Sequence, residues 1–181
     1  MEVKLLTYTP EPDRVVATAA RLCYAPQDAE TVWAGFTREK QEEFLGRLSA
    51  YGHFSPYEHV SFTFAVAGVS RALSHQLVRH RIASYSQRSQ RYINEVSFGV
   101  VLPPTVEADP AAREEFERVI AAIREGYQRL TALGVPKEDA RYLLPNACQT
   151  QLIMTMNARS LLHFMALRCC RRAQWEIREL A

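Results

Sequence analysis

Glycine is scarce, with seven residues in 181, and none of them forms G-x-G-x-x-G or a P-loop. This excludes a Rossmann dinucleotide site and a glycine loop that cradles phosphate, so side chains and helix ends must hold any nucleotide or flavin. No G-x-S-x-G elbow supports a hydrolase. The four cysteines are Cys23, Cys148 and the adjacent Cys169 and Cys170, without a C-x-x-C. Neighbouring cysteines on a helix point about 100° apart, which disfavours a shared bond or ligand sphere. Reduced thiols and no zinc site are therefore expected. No apolar run approaches the ~20 residues that span a bilayer, and Met1, Glu2, Val3, Lys4 lack the basic and apolar regions of a signal peptide. A cytoplasmic protein with no membrane partner is expected. Hydrophobic residues make up 48% of the chain, enough for the core of one domain over residues 1–181.

Acid is missing from two long stretches. His59 to Asn94 and Ala140 to Trp175 contain no Asp or Glu, and each holds five arginines and no lysine. Surface arginine is normally interspersed with acid, so two such windows predict strips of chain converging on an anionic ligand. The plainer alternative is that some of these arginines pair with acids elsewhere in the fold.

Within the first window, residues 79 to 91 carry four arginines and three serines. Guanidinium groups fork two N–H donors onto a phosphate, and hydroxyls and turn amides fill its remaining lone pairs. The competing structural reading is a helix from about Arg71 to Arg81 whose last turn holds Arg79, His80 and Arg81 against the helix dipole.

Hydrophobic periodicity gives the layout. The first 54 residues read as helical: Val15, Val16, Ala19, Ala20 and Leu22 form one stripe. Phe44, Leu45, Leu48 and Tyr51 form another, begun by Thr37 and closed by Gly52. Ala25 to Phe36 reads as a loop. Val60, Phe62, Phe64 and Val66 alternate as a strand, and a second strand is expected at Val96, Phe98 and Val100. Asp109-Pro110 opens a long helix ended by Gly134, and a shorter helix from Pro136 breaks before Pro145. Gln149 to Met156 alternates, and a final helix runs from Asn157 to the chain end. This predicts an α+β fold with a small, largely antiparallel sheet packed with long helices.

Arg79-His80-Arg81, seven residues, then Ser89 resembles the signature of the flavin-dependent thymidylate synthases. Gly52 to His59 resembles that family's G-H-x-[ST]-P-[FY]-E-H segment, followed by its F-T-F strand at Phe62 to Phe64. Ala140, Arg141, Leu144 and Pro145 resemble its A-R-x-x-L-P step. Asn157 to Leu161, with Leu167, Arg168 and Ala173 to Glu176, resembles its final helix. The resemblance implies a methyltransferase that converts dUMP to dTMP without a cysteine nucleophile. Its carbon comes from methylenetetrahydrofolate, and its electrons come from NADPH through FAD. It also implies a homotetramer with shared active sites and small-molecule partners only.

By position, the resemblance places His53, Ser55, Arg79, His80, Arg81, Gln87, Asn157, Arg159 and His163 at FAD. It places Gln76, Arg79, Gln87, Arg88, Ser89, Gln90, Arg91, Arg141 and Arg168 around dUMP, with Ser89 and Arg91 on the phosphate. Arg168 is the expected activating group, because a guanidinium at the pyrimidine edge stabilises charge developing on the ring. Gln87 stands where many members carry Glu. The chain also stops at Ala181 inside an uncapped helical pattern, whereas the family usually continues. Along the final helix, Arg159 and His163 lie within ~40° of each other and Arg168 about 180° away, which fits a helix serving two pockets.

Each residue has an ordinary alternative. His53 and His59 could be locally hydrogen-bonded polar groups, and Glu58 beside His59 a turn or sheet-edge pair. Ser89 lacks a nearby His-Asp pair to make it a nucleophile. Rival functions are a single-strand or RNA binder stacking bases on Tyr85, Tyr92 and Phe98, and an arginine-rich enzyme acting on another nucleotide or sugar phosphate.

Overall fold

The computed structural model describes all 181 residues. Strand β1 (Glu2–Tyr8) precedes helices α1 (Pro12–Leu22), α2 (Ala29–Ala34) and α3 (Arg38–Ala50). A 3-10 turn at Ser55–His59 leads to β2 (Ser61–Ser70), α4 (Arg71–Leu77) and β3 (Ser84–Gln87). Then come α5 (Pro104–Glu107), the long α6 (Pro110–Ala132), α7 (Lys137–Ala140) and a second 3-10 turn at Arg141–Leu143. Finally β4 (Gln149–Asn157), α8 (Ala158–Arg168) and α9 (Trp175–Leu180) complete the chain. The strands form one antiparallel sheet in the order β1-β2-β4-β3, which makes the fold α+β as expected.

Local chemistry sets the helix starts. Asp109 accepts the Ala111 N–H at 2.9 Å with Pro110 behind it, and Asn157 accepts the Ser160 N–H at 2.8 Å. Each cap satisfies an amide that the first turn cannot. Gly134, at φ 84°, ends the run after α6 in a conformation that favours glycine.

Several expectations from the sequence require correction. The N-terminal segment is not wholly helical. β1 is a strand whose seven positions are all exposed, so it has no buried face to impose a period of two, and Leu5-Leu6 hides it further. The Ala25–Phe36 loop contains α2, capped by Asp28 accepting from Thr31 N–H; six residues are too few to show a helical period. α4 stops at Leu77, not Arg81, because Ser84–Gln87 is drawn into the sheet beside β4. Val96 to Val100 forms no strand beyond one bridge, Val100 to Cys148. Its backbone groups go elsewhere: Val96 N–H to Asn94 Oδ1, and Phe98 O to Arg124. The final helix breaks after Arg168, and Gln174 caps a new one by accepting from the Glu176 and Ile177 amides.

Two compact units are distinguishable: Met1–Val3, Val66–Arg79 and Ser86–Leu152 form the first, and Lys4–Ala65, His80–Tyr85 and Ile153–Ala181 the second. In the first, Phe98, Ile120 and Cys148 pack with Phe116, Ile123 and Leu144. In the second, Ala17, Ala20 and Phe44 pack with Phe36, Leu45 and Leu48.

Candidate active site

In the first unit the arginine-serine segment leaves the sheet at a fixed point. Gln87, the last residue of β3, donates Nε2–H to Thr150 Oγ1 at 3.2 Å, and Arg88 N–H reaches Gln151 O at 3.0 Å. The chain then turns. Ser89 Oγ accepts the Arg91 N–H at 3.2 Å, and Ser89 O accepts the Ile93 N–H at 3.1 Å. Gln90 is buried with its Nε2 on the Cys148 sulfur at 3.5 Å. From behind, Arg71 Nη1 reaches Arg88 O at 3.4 Å.

Arg91 directs Nε and Nη2 onto one Glu138 oxygen at 3.1 and 3.0 Å, and Arg141 Nε donates to the Glu138 carbonyl at 3.0 Å. Glu138 therefore brings together two of the arginines expected at the nucleotide. Gln76 lies half-buried on α4, and its carbonyl accepts the N–H of Arg79, which is itself exposed.

Glu95 is 5% exposed with Arg88 Nε at 3.8 Å. Burial raises its pKa, against the opposing effects of Arg88 and then Arg71. The Cys148 thiol is pushed up to about 11, chiefly by burial and then by Glu95. Sequence reasoning assigned no role to Arg71, Glu95, Glu138 or Thr150. Part of the signal was available: Glu95 and Glu58 bound the first acid-free window.

In the second unit α8 organises the remaining candidates. Asn157 caps α8, and one residue into it Arg159 Nη1 lies 2.5 Å from Glu58 Oε1 on the 3-10 turn. Ser55 opens that turn, and the turn packs against α8, so Ser55, Glu58, Asn157 and Arg159 are brought together. His53, Arg81 and His163 are exposed. Arg168, in the last turn of α8, donates Nε–H to His80 Nε2 at 2.9 Å. The His80 ring meets buried Phe164 edge-on at 5.0 Å and 84°. Burial lowers the His80 pKa first, then Arg168 and His163 lower it further.

The plainer reading of the acid-free windows, pairing with acids elsewhere in the fold, thus holds for three of these arginines. Arg88, Arg91 and Arg159 meet Glu95, Glu138 and Glu58, all just outside the acid-free windows. Glu58 is the partner of Arg159, not half of a pair with His59. The base-stacking reading loses one platform, since Phe98 is 3% exposed and packs in the core.

All four cysteines are free, with Cys148 buried and the other three exposed. A raised pKa and no access make a thiol inert. With an aromatic disulfide reagent at pH 8, Cys23, Cys169 and Cys170 should label readily, and Cys148 only after denaturation. Rapid labelling of Cys148 in the folded protein would contradict the packing described.

The family model described as "Thymidylate synthase complementing protein" matches residues 4–181. A Clostridium tetani protein named flavin-dependent thymidylate synthase is 50% identical, with all of this chain covering 79% of that protein. A Geobacter sulfurreducens protein of the same name is 51% identical over the whole of this chain and 79% of its own length. One from Pyrococcus furiosus is 42% identical, covering 100% of this chain and 76% of that protein. These matches take in β3 and the Ser89 turn, the 3-10 turn carrying Glu58, and α8 with Arg159 and Arg168. The chain belongs to the flavin-dependent thymidylate synthase family.

Proposed function

We propose that this protein methylates dUMP to dTMP, using methylenetetrahydrofolate as carbon donor and NADPH as reductant through FAD, without a cysteine nucleophile. The observation that carries the reading is the turn after β3. There the Arg91 guanidinium engages the Glu138 carboxylate, Arg141 donates to the Glu138 carbonyl, and the Arg91 amide bonds Ser89 Oγ in the same turn, a set of donors that suits a phosphate. The one buried thiol is far from the thiolate state that nucleophilic attack needs.

On this reading Gln76, Arg79, Arg88, Gln90 and Arg141 surround dUMP, Ser89 and Arg91 hold its phosphate, and Arg168 faces its ring. Gln87, bonded to Thr150, stands between nucleotide and flavin. FAD falls to His53, Ser55, Arg79, His80, Arg81, Gln87, Asn157, Arg159 and His163. The donor set fits that group: the exposed guanidiniums of Arg81 and Arg159 match the pyrophosphate of a flavin dinucleotide. When bound, FAD supplies the electron transfer that completes the methyl group. The chain's own residues hold the nucleotide, orient it and stabilise charge on its ring.

Residues 1–181 act as one synthase domain on this proposal, a reading supported by the continuous match from residue 4. The protein works in the cytoplasm as a homotetramer with active sites shared between subunits, and takes no nucleic-acid partner. α8 supports the shared site, because Arg159 meets Glu58 while Arg168, about 180° round the helix, meets His80. Leu162, Met165 and Leu167 on the same helix are exposed apolar surface for a partner subunit. No helix is long and apolar enough to cross a membrane.

Saturation with FAD followed by desalting should leave a flavin absorbance spectrum with the protein. Arg81→Ala and Arg159→Ala should lose it. No retained flavin at micromolar protein would sink the proposal.

A further inference from the structure

The His80 side chain does something that flavin contact alone does not require. Its Nε2 lies 2.9 Å from Arg168 Nε, and a guanidinium has only donors. His80 must therefore be neutral, with its proton on Nδ1 and its Nε2 lone pair facing the arginine. Phe164, one helical turn before Arg168, meets the imidazole edge-on and fixes the plane of the ring.

We propose that His80 is a positioning residue for Arg168: it takes the Nε–H and so sets the guanidinium with its Nη1 and Nη2 edge left for the ligand. The inference rests on Arg168 being the group that faces the dUMP ring. An arginine side chain has many rotamers to lose, and a bond at Nε removes much of that freedom before the nucleotide arrives. The fork is then preorganised, which is what stabilising a developing charge demands.

The contact also has a defined pH range. The charged groups facing the ring are Arg168 and His163 on α8, both of which disfavour a second cation. Arg79 and Arg81 flank it in sequence. From β3 the Tyr85 hydroxyl donates to the His80 carbonyl at 3.1 Å and stays protonated, its pKa pushed up to about 12 by burial. No acid among these groups favours imidazolium. Because the folded-state pKa lies below the ordinary 6.5, the contact is complete above that value. It is lost as pH falls through the folded pKa, when Nε2 gains a proton and Arg168 is repelled.

The test is long-range nitrogen–proton NMR of the histidines in the full-length protein, with His80→Gln to assign the His80 signals. At pH 8 the wild-type ring should be the Nδ1–H tautomer, and Arg168→Ala should raise its titration midpoint. In single-turnover methyl transfer, His80→Gln places a carbonyl near the Nε2 position. It should lose the His80 limb of the acid pH profile and keep a higher rate than His80→Leu. His80→Leu should lose roughly 10²-fold, the cost of a misplaced catalytic group. An Nε2–H tautomer, an unchanged midpoint in Arg168→Ala, or an unchanged acid limb in His80→Gln would overturn the proposal. The wild-type spectrum needs no variant to fold. The NMR arm also reads the contact even if Arg168 has no role in catalysis, so failure of that wider reading is distinguishable.

Discussion

Arg168→Ala should slow methyl transfer to dUMP by roughly 10²–10³-fold, the usual cost of removing one preorganised donor from a developing charge. Flavin reduction by NADPH should persist, because no charge has to be stabilised on the pyrimidine in that half of the reaction. Arg168→Lys should rescue little. An ammonium is a point charge without the planar fork, and it cannot give one edge to His80 and another to a ligand. Rapid-quench measurement of dTMP formation alongside stopped-flow flavin reduction separates the two halves. Equal loss in both, or normal dTMP formation in the alanine variant, would remove Arg168 from the activating role.

The phosphate of dUMP should account for most of its affinity. Two charge-assisted contacts at roughly 1.5–3 kcal/mol each, from Ser89 and Arg91, predict that deoxyuridine binds on the order of 10²–10⁴-fold more weakly than dUMP. The structure sharpens this expectation, because Arg91 is already engaged by Glu138. Both side chains are 51% exposed, so the pair is worth only about 0–1 kcal/mol. Arg91→Ala should cut the discrimination by roughly 10–10²-fold. Glu138→Gln, which removes the competing carboxylate, should tighten dUMP binding up to about fivefold. Calorimetry with both ligands and both variants decides it. Equal affinities for dUMP and deoxyuridine would end the phosphate assignment.

The sequence revealed the parts of this molecule that obey local rules. The Asp109 and Asn157 caps, the Gly134 stop and the alternation of β4 are all short-range signals, and each is present in the structure. The end of α4 and the strand at Ser84–Gln87 were hidden because pairing with β4 decides them, a contact between segments more than sixty residues apart in sequence. β1 was hidden for the opposite reason, since a strand exposed on both faces has no pattern to read. At the candidate site, the motifs singled out residues but did not show how they are held. Acid-free windows suggested arginines gathered for an anionic ligand. In the structure, carboxylates at the margins of those windows pair with Arg88, Arg91 and Arg159. The link from His80 to Arg168 spans 88 positions, and no spacing rule reaches that far.

The strand order β1-β2-β4-β3 has a consequence for how the chain reaches its native state. The central pair of the sheet joins segments about ninety residues apart, as the Thr63 to Thr155 hydroxyl contact shows, so closing it costs loop entropy that local contacts do not offset. Helices such as α6 can form early, whereas the sheet has to wait, and non-local topologies of this kind fold slowly. While it waits, β1 carries Val3, Leu5, Leu6 and Tyr8 along an edge that is 44–51% exposed even when folded. That strand is where a partly folded chain would join another in error. Recovery from denaturant should therefore fall steeply as protein concentration rises, and a charged residue substituted for Leu5 should restore the yield.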